Sequence, residues 1–430
     1  MKKPVLGCIA DDFTGATDLA NNLVRSGMQV VQAIGVPEGP LNTSADAVVV
    51  ALKSRTIPKA EAIRQSLEAL RWLQAQGVQQ IYFKYCSTFD STPQGNIGPV
   101  TEALMDALAD KSHSDFTIAT PAFPDNQRSV FNGHLFIGTV LLNESGMQNH
   151  PLTPMTDPNL VRVLQSQCQR KVGLIDYKTV AQGEMAIRSK ISELRSEGIG
   201  LAVVDALTNE DLLRIAPALK DLPLITAGSG IAIGLASNFG LSPSPASSYL
   251  PTAKGFKAVV SGSCSLATNK QVAYFQQSGL PTLAIDTQRL AQNSDSWNEV
   301  VEHALVWAQG LIADSPVLVY STAATDAVKA VQATLGVEET GELIEKTLSH
   351  IATGLVRLGV RQLVVAGGET SGACVQRLHI NQLAIGPQID PGVPWCHAVS
   401  DLAPDGLHLA LKSGNFGTED FFTKAFGVLA

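Results

Sequence analysis

Residues 5–17 read VLGCIADDFTGAT, and this stretch contains the pattern that decides the fold. A short apolar run ends in two adjacent acids, and residues that favour a helix follow at once. A continuous rather than alternating apolar run is typical of a strand covered on both faces, as in parallel sheets. Residues 363–374, LVVAGGETSGAC, repeat the arrangement with glycines and hydroxyls at the turn. Both stretches predict a strand, a tight turn and a helix.

Apolar runs of this kind alternate with amphipathic stretches along most of the chain. The predicted strands are 5–10, 47–52, 80–85, 116–119, 172–175, 201–204, 222–226, 256–260, 281–285, 317–320, 362–365 and 407–411. Helical patterns fill several of the gaps, among them 59–76, 100–109 and 180–196. The alternation predicts an α/β fold with mostly parallel sheets flanked by helices.

The length and one proline-rich segment predict two domains. A chain of 430 residues exceeds the size at which a single core usually stops growing. Residues 240–254, GLSPSPASSYLPTAK, contain three prolines and no apolar period, which is typical of a linker. We therefore predict an N-terminal domain over 1–240, a linker over 241–253 and a C-terminal domain over 254–430. The active site is expected in the cleft between the domains, which would close on binding.

Composition limits the classes of partner. Apolar residues make up 45% of the chain, charged residues 16%, and the net charge is −8 without any run of Lys or Arg. These values argue against nucleic acid or an anionic membrane as the main partner. No export signal and no apolar stretch of membrane-spanning length stand out, so we expect a cytoplasmic protein. The six cysteines, none in a C-x-x-C pair, are Cys8, Cys86, Cys168, Cys264, Cys374 and Cys396.

Two acids and an arginine follow predicted strands in the first half of the chain. Asp11 and Asp12 come directly after the first strand, where open α/β sheets bind ligands. A carboxylate there can accept hydrogen bonds from a polyol, act as a general base toward an alcohol, or hold a metal. One of the two acids could instead be only a helix N-cap. Arg55 follows the next strand and is the natural bidentate partner of a carboxylate, although a lone arginine is usually a surface residue.

Residues 83–98, FKYCSTFDSTPQGNIG, concentrate hydroxyl and amide side chains after another buried strand. Such a loop suits a small molecule with several hydroxyl groups, although a Ser/Thr-rich turn with a cap would look similar. The candidate substrate contacts in this loop are Lys84, Tyr85, Cys86, Ser87, Thr88 and Asp90.

Small residues follow three predicted strands of the second half, in SGSCS at 261–265, GGETSG at 367–372 and KSGN at 412–415. Backbone amides of small residues at helix N-termini can bind an anion. The candidate nucleotide contacts are Ser261, Ser263, Gly367, Gly368, Glu369, Thr370 and Gly414. No Walker A motif or protein-kinase motif set is present, and the histidines show no metal-ligand spacing, so no metal ligand is assigned.

Residues 226–234, TAGSGIAIG, resemble a dinucleotide fingerprint but do not complete one. A Rossmann site needs an acid about 20 residues further on, and there is no Asp or Glu between 222 and 285. A tight turn with close helix packing explains the glycines better, although a role at the domain cleft stays open.

Residues 121–158 contain five prolines and short apolar pieces such as 139–142. This segment predicts a β-hairpin or a long excursion from the sheet. It could cover a site, or it could form a contact between two copies of the chain.

The motifs ADDFTGA, KYCSTFDSTPQGNIG, NGHLFIGTVLLNESGMQNHPLTPMTDPN and GGETSGA occur in this order. Together they resemble the four-carbon acid sugar kinases over nearly the whole chain. The segment 132–159 is the most specific of them, because a generic α/β protein does not require it.

The resemblance implies that the N-terminal domain binds the acid sugar and the C-terminal domain binds ATP. It implies transfer of the γ-phosphoryl group, with Mg²⁺ bridging the phosphates, to the C4 hydroxyl of 3-oxo-tetronate, or of threonate or erythronate. Arg55 would bind the substrate carboxylate, and Asp11 or Asp12 would orient the hydroxyl and accept its proton. A nicotinamide dehydrogenase and a non-catalytic sugar-acid-binding protein are the alternatives, and the missing ribose acid and export signal count against them.

Overall fold

The computed structural model describes residues 3–41, 44–112, 115–149, 153–290, 294–321 and 336–429. The chain divides into two units, Met1–Ser248 and Tyr249–Ala430. Within the described ranges, no helix combines the length and the apolar character that crossing a bilayer requires.

The first unit is built on a parallel sheet with helices between its strands. Its strands are β1 Leu6–Ala10, β2 Val30–Ile34, β3 Ala47–Ala51, β4 Gln80–Lys84, β5 Thr117–Thr120, β6 Arg128–Phe131, β7 His134–Ile137, β8 Val140–Leu141, β9 Lys171–Ile175, β10 Ile199–Val204 and β11 Leu224–Ala227. Its helices are α1 Phe13–Arg25, α2 Lys59–Gln76, α3 Ile97–Ser112, α4 Leu160–Gln165, α5 Tyr177–Ala181, α6 Glu184–Ser196, α7 Asn209–Ala218 and α8 Ala232–Leu235.

The order of the parallel strands places β1 near the middle of the sheet. The order is β2-β3-β1-β4-β11-β5-β10-β9. β1 is buried throughout and pairs in parallel with β3 on one side and β4 on the other. The chain leaves β1 toward β2 and β3 and later crosses back to β4. The carboxyl end of β1 is therefore a topological switch point, where sheets of this kind bind ligands.

The predicted single helix over 180–196 is wrong, because the chain forms two helices there. α5 ends at Ala181, and α6 begins at Glu184. Gly183 between them has a φ of 89°, which is incompatible with a continuing right-handed helix.

The excursion after β5 forms a small antiparallel sheet of β6, β7 and β8, so the predicted hairpin is confirmed. Asn132 and Gly133 make the turn between β6 and β7 with φ values of 48° and 71°. Two positive φ angles are typical of the tight hairpin turn that an Asn-Gly pair favours. Residues 150–152 of this segment lie outside the described residues.

The second unit also consists of strands flanked by helices. Its strands are β12 Phe256–Ser261, β13 Thr282–Ala284, β14 Val317–Tyr320, β15 Val360–Ala366, β16 Gln382–Asp390, β17 Val393–Ser400 and β18 Ala403–Lys412. Its helices are α9 Leu266–Gln277, α10 Thr287–Leu290, α11 Ser294–Gln309, α12 Val337–Arg357, α13 Gly368–Arg377 and α14 Phe421–Val428. The described strands follow the order β13-β14-β12-β15-β18-β17-β16.

In the second unit the strands are parallel from β13 to β18 and antiparallel from β18 to β16. The α/β class and the mostly parallel pairing are therefore confirmed, while β16 and β17 were not predicted. Pro387 and Pro394 lie inside these two strands and weaken their strand pattern. The core beside them is aromatic, with Trp395, Phe421 and Phe422 fully or almost fully buried.

Candidate functional site

The acids after β1 lie where the turn into α1 begins. Asp12 is the N-cap of α1, since its Oδ1 accepts a hydrogen bond from the Gly15 amide at 2.9 Å. Its Oδ2 accepts from the Thr14 hydroxyl at 2.9 Å. The capping interpretation is therefore correct for Asp12, but it does not account for the second acid.

Arg55, just beyond β3, joins the two acids. Its Nε and Nη2 donate to the two carboxylate oxygens of Asp11, each at 2.8 Å, and Nη2 also donates to Asp12 at 2.8 Å. Its Nη1 lies 3.7 Å from Asp90. The arginine expected to bind a substrate carboxylate is thus already bidentate with a carboxylate of the protein. A ligand could reach it only at the Nη1 edge.

Burial and charge act in opposite directions on these groups. For Asp12, burial favours the neutral form, but Arg55 and Lys84, with hydrogen bonds from Thr14 and Gly15, lower its pKa. For Asp11, burial raises the pKa against the attraction of Arg55. Of the two side chains Asp12 is the more accessible, at 23% against 7% exposure. Asp12 is therefore the anion that a ligand can reach.

Lys84 ends β4 beneath the first turn of α1. It is 1% exposed, and its Nζ donates to the Tyr85 carbonyl at 2.8 Å. A Cβ built on Gly15 would lie 3.0 Å from this Nζ and would collide with Asp12 Oδ1. Gly15 therefore leaves the space in which the ammonium group and the capping carboxylate approach the helix.

Asp18, one turn further along α1, is a buried acid that the sequence did not single out. It is 3% exposed, and its Oδ2 accepts from the Ser229 hydroxyl at 2.6 Å. Burial raises its pKa to about 6, although Lys84 and the Ser229 hydrogen bond act against this. A helix-face comparison could have found it, because positions 12, 15 and 18 share one face of α1.

The loop after β4 supports the arginine. Cys86 Sγ lies 2.9 Å from Thr88 Oγ1, which donates to Asp90 at 2.6 Å. Asn96 Nδ2 donates to the carbonyls of Ser54, Arg55 and Ile57 at 2.9–3.2 Å. The amide of Asn96 thus holds the loop of Arg55. A small cleft between these elements is lined by Asp11, Ser54, Arg55, Phe83, Asp90, Ser91, Asn96, Ile97 and Val100.

The side chain of Tyr85 does not belong to this cleft, which corrects the prediction of a substrate contact. The ring is fully buried and packs edge-on against Phe83 and Phe89. Its hydroxyl lies 3.3 Å from Thr226 Oγ1, inside the core. The backbone of Tyr85, which accepts from Lys84, is the part near the site. Ser87 is also buried, at 4% exposure.

The glycines of the turn at 228–234 serve close packing. A Cβ built on Gly228 would lie 3.0 Å from the Pro121 carbonyl oxygen, and one on Gly230 would collide with the Ala122 carbonyl. A Cβ on Gly234 would lie 2.6 Å from Ala216 Cβ on α7. The same turn carries Ser229, the partner of Asp18.

In the second unit, loops after β12, β15 and β18 meet at one end of the sheet. A Cβ built on Gly262 would collide with the Thr370 hydroxyl, and one on Gly414 would lie 2.5 Å from Ser263 Oγ. Gly367 has a φ of 118° and donates its amide to the Lys412 carbonyl at 2.8 Å. The three small-residue segments that the sequence analysis assigns to nucleotide binding thus touch one another.

The residues predicted to bind nucleotide are exposed to different degrees at this end of the sheet. Ser261 is fully buried at the end of β12, Ser263 is half-buried, and Thr370 is 3% exposed in the first turn of α13. Gly368 and Gly414 are half-buried, while Glu369 is exposed. The accessible residues of this predicted set are thus Ser263, Gly368, Glu369 and Gly414. In the described part of the chain, no three His, Cys, Asp or Glu side chains are grouped to hold a metal ion.

Comparison with known proteins covers both units. Residues 6–235 match a family described as a sugar-binding N-terminal domain, and residues 258–422 match a nucleotide-binding C-terminal domain. The 3-oxo-tetronate kinase of Burkholderia multivorans is 56% identical over 99% of this chain and 98% of its own length. The chain belongs to the 3-oxo-tetronate kinase family. The family resemblance read from the motifs is therefore confirmed.

Further relatives are similar to this chain over nearly its full length. The 3-oxo-tetronate kinase of Haemophilus influenzae is 46% identical over 99% of this chain and 100% of its own. The solved structure of Haemophilus influenzae protein HI1011 is 45% identical, with a TM-score of 0.77 over 99% of this chain and 100% of that one. A Salmonella typhimurium LT2 structure, described as a suspected tRNA synthase, is also 45% identical, with a TM-score of 0.86 over 98% of each chain.

Proposed function

We propose that this protein is an ATP-dependent kinase that phosphorylates the C4 hydroxyl of 3-oxo-tetronate. The observation that carries the proposal is the 54–56% identity to 3-oxo-tetronate kinases over 98–100% of this chain. Similarity over this length includes both halves that a two-substrate transferase needs. The first unit would bind the acid sugar, and the second would bind ATP.

We assign the orienting role toward the C4 hydroxyl to Asp12. Its carboxylate is ionised, partly exposed and fixed by the helix cap and Arg55. Phosphoryl transfer passes through a loose transition state, so positioning the alcohol matters more than a strong base. The low pKa of Asp12 is compatible with that role. Asp11 would act by holding Arg55 in place.

The substrate carboxylate would meet the Nη1 edge of Arg55, with the 84–90 loop supplying hydrogen bonds to the hydroxyls. Thr88 and Asp90 lie next to that edge. In this arrangement the guanidinium group of Arg55 would face carboxylates on three sides. Replacing Arg55 by lysine would lose the planar group that pairs with them. Lys84 would add positive charge beneath the acceptor site.

The triphosphate would lie against the amides at the start of α13 and the loops around Ser263 and Gly414. The helix dipole and the unpaired amides of a first helical turn favour an anion there. Glu369 is the exposed carboxylate of these loops and would help to hold the Mg²⁺ that accompanies the nucleotide. When bound, the ion would neutralise charge that develops on the transferred group.

A panel of four-carbon sugar acids tests the proposed reaction. Purified protein with ATP and Mg²⁺ is expected to release ADP with 3-oxo-tetronate, and at a much lower kcat/KM with D-threonate or D-erythronate. A higher kcat/KM with either of the latter would assign the chain to that substrate. No ADP release with any acid, together with binding of the acids, would favour a non-catalytic binder.

We also propose that the enzyme works in a reducing, cytoplasmic setting, because all six cysteines are unpaired thiols.

We further propose that the enzyme forms a homodimer through the small sheet of its first unit. Phe131 and Val140, on the small sheet of the first unit, are each 40% exposed. Apolar side chains at such positions favour burial against a second copy. Light scattering that gives a monomer mass, or a dimer unaffected by Phe131→Ser, would exclude this sheet as the interface.

A further inference from the structure

Lys412, the last residue of β18, is a buried lysine surrounded by oxygen atoms. It is fully buried, and its Nζ donates to the carbonyls of Ser413, Gly414 and Phe416 at 2.9–3.2 Å. Nζ also lies 3.1 Å from Thr268 Oγ1 on α9. Burying an ammonium group is unfavourable because the group loses its hydration, and these hydrogen bonds must compensate for that loss.

The carbonyl of Gly414 is the centre of this cage. Besides Lys412 Nζ at 3.1 Å, it accepts from Ser265 Oγ at 2.5 Å and from Thr268 Oγ1 at 2.9 Å. Ser265 is the N-cap of α9, and the Gly367 amide donates to the Lys412 carbonyl. Lys412 therefore connects all three loops at this end of the sheet.

The cage fixes the direction of the backbone amides in the loop. In a trans peptide the N–H points opposite to the preceding C=O, and no cis peptide bond occurs among the described residues. Because the carbonyls of Ser413 and Gly414 point toward Lys412, the amides of Gly414 and Asn415 point away from it. Amides held in this way form an anion site without any exposed cation.

We propose that Lys412 is a positioning residue for ATP, which holds the Gly414 loop with its amides directed to the phosphates and adds a buried positive charge behind them. This inference rests on the proposed kinase function and extends it to a residue that touches no substrate. It assigns the anion affinity of the second unit to a buried ammonium group as well as to helix N-termini.

The charge of Lys412 should titrate in an accessible range. Burial lowers its pKa to about 7, while Asp390 acts in the opposite direction. Asp390 is itself paired with Lys424 of α14 at 2.5 Å, and on α9 the surface residue Lys270 pairs with Glu419 at 3.3 Å. A bound triphosphate would favour the protonated lysine, so ATP should bind more weakly as the pH rises through 7.

The direct experiment is the Kd of ATP–Mg²⁺ measured calorimetrically from pH 6.5 to pH 8.5. For the wild-type protein we expect the Kd to rise by roughly fivefold or more over this range. Ionisation of the triphosphate itself acts in the opposite sense, since its last proton leaves near pH 6. A Kd that is constant or falls with pH would overturn the inference.

Lys412→Met and Lys270→Met form a matched pair. Lys412→Met should raise the Kd for ATP about tenfold and remove its pH dependence, with the KM for the sugar acid within about twofold of wild type. Lys270→Met, on the exposed face of α9, should leave the Kd for ATP and its pH dependence unchanged. If Lys412→Met keeps the wild-type affinity and pH profile, the inference is wrong while the kinase proposal stands.

Two other outcomes have defined meanings. If Lys412→Met does not fold, the pH dependence of the wild-type Kd for ATP–Mg²⁺ alone tests the inference. If wild-type protein binds no ATP at any pH, the proposed function and this inference both fail.

Discussion

At the scale of single residues, the charged cluster after β1 combines rigidity with one accessible anion. Both oxygens of Asp11 are engaged by Arg55, so its charge is neutralised inside the protein. Asp12 shares the same guanidinium but remains partly exposed. Removing one partner of such a cluster leaves a buried charge unpaired, which is strongly destabilising. The cluster is therefore sensitive to substitution for reasons of both stability and function.

Asp12→Asn separates these two reasons. Asparagine is as good an N-cap as aspartate, so α1 should stay intact. Loss of the charge should lower kcat by about 10²- to 10⁴-fold. The rate of ADP release measures this, with Asp176→Asn, a change of the N-cap of α5, as the control that keeps full activity. Near-normal turnover in Asp12→Asn would remove its assigned role.

Gly15→Ala tests the space between Asp12 and Lys84. The added methyl would press on Asp12 Oδ1 and on Lys84 Nζ, so we expect a loss of about 1–3 kcal/mol in unfolding free energy and reduced kcat/KM. Gly341 on α12 has open space around its Cβ position, and Gly341→Ala should stabilise the protein by up to about 1 kcal/mol. Chemical denaturation compares the two. Equal effects would mean that the contact at Gly15 is unimportant.

Asp18 makes stability depend on pH. Its pKa is raised to about 6 in the fold, above the value near 3.9 of an unfolded chain. The protonated form therefore favours folding below pH 4, and this contribution is lost as the pH rises through 6. Asp18→Asn, which resembles the protonated acid, should gain about 2–3 kcal/mol over wild type at pH 8 and nothing at pH 4. Denaturant unfolding at both pH values measures this, and an equal difference at each would refute it.

At the scale of elements, each unit carries its candidate residues at strand ends, and we propose that the phosphates bind at the N-terminus of α13. Glu369→Gln removes the charge in the first turn of α13 while keeping its shape. If Glu369 helps to bind Mg²⁺, the Kd for ATP–Mg²⁺ should rise about three- to tenfold, and the Kd for ADP without metal should stay the same or fall. A weaker affinity for metal-free ADP would instead mean that Glu369 orders the loop.

Most strands and their turns were predictable from the sequence, because buried parallel strands are continuous apolar runs. β2 was missed since Gln32 interrupts its run, and this buried amide donates to the Phe13 carbonyl. The pairings of Asp18 with Ser229 and of Lys412 with Gly414 join residues 211 and 2 positions apart. The first pairing is set only by the tertiary fold. The second depends on the direction of a backbone carbonyl, which the amino-acid sequence does not specify.

The candidate site was also predictable only in part. The strand-end rule located Asp11, Asp12 and Arg55 correctly at one end of the first sheet. It also included Tyr85, whose side chain points into the core, because strand neighbours point to opposite faces. The pairing of Arg55 with both acids was not foreseen, since Arg55 was assigned to the substrate alone.

At the scale of the whole molecule, we propose that this chain phosphorylates a four-carbon sugar acid at C4. In this proposal each unit supplies one ligand site of different chemistry: carboxylates and an arginine in the first, and backbone amides in the second. A kinase needs both, whereas a simple binding protein needs only one. The product of the reaction, and not only the binding of two ligands, therefore distinguishes a kinase from a binding protein.

Phosphorus NMR of the reaction product tests this claim most directly. Wild-type protein with ATP, Mg²⁺ and 3-oxo-tetronate should yield ADP and an equal amount of one new phosphomonoester. In the proton-coupled spectrum its resonance should be a triplet, because the C4 carbon carries two hydrogens. A doublet would place the phosphate on C2, and inorganic phosphate alone would show ATP hydrolysis. Either result would contradict the account.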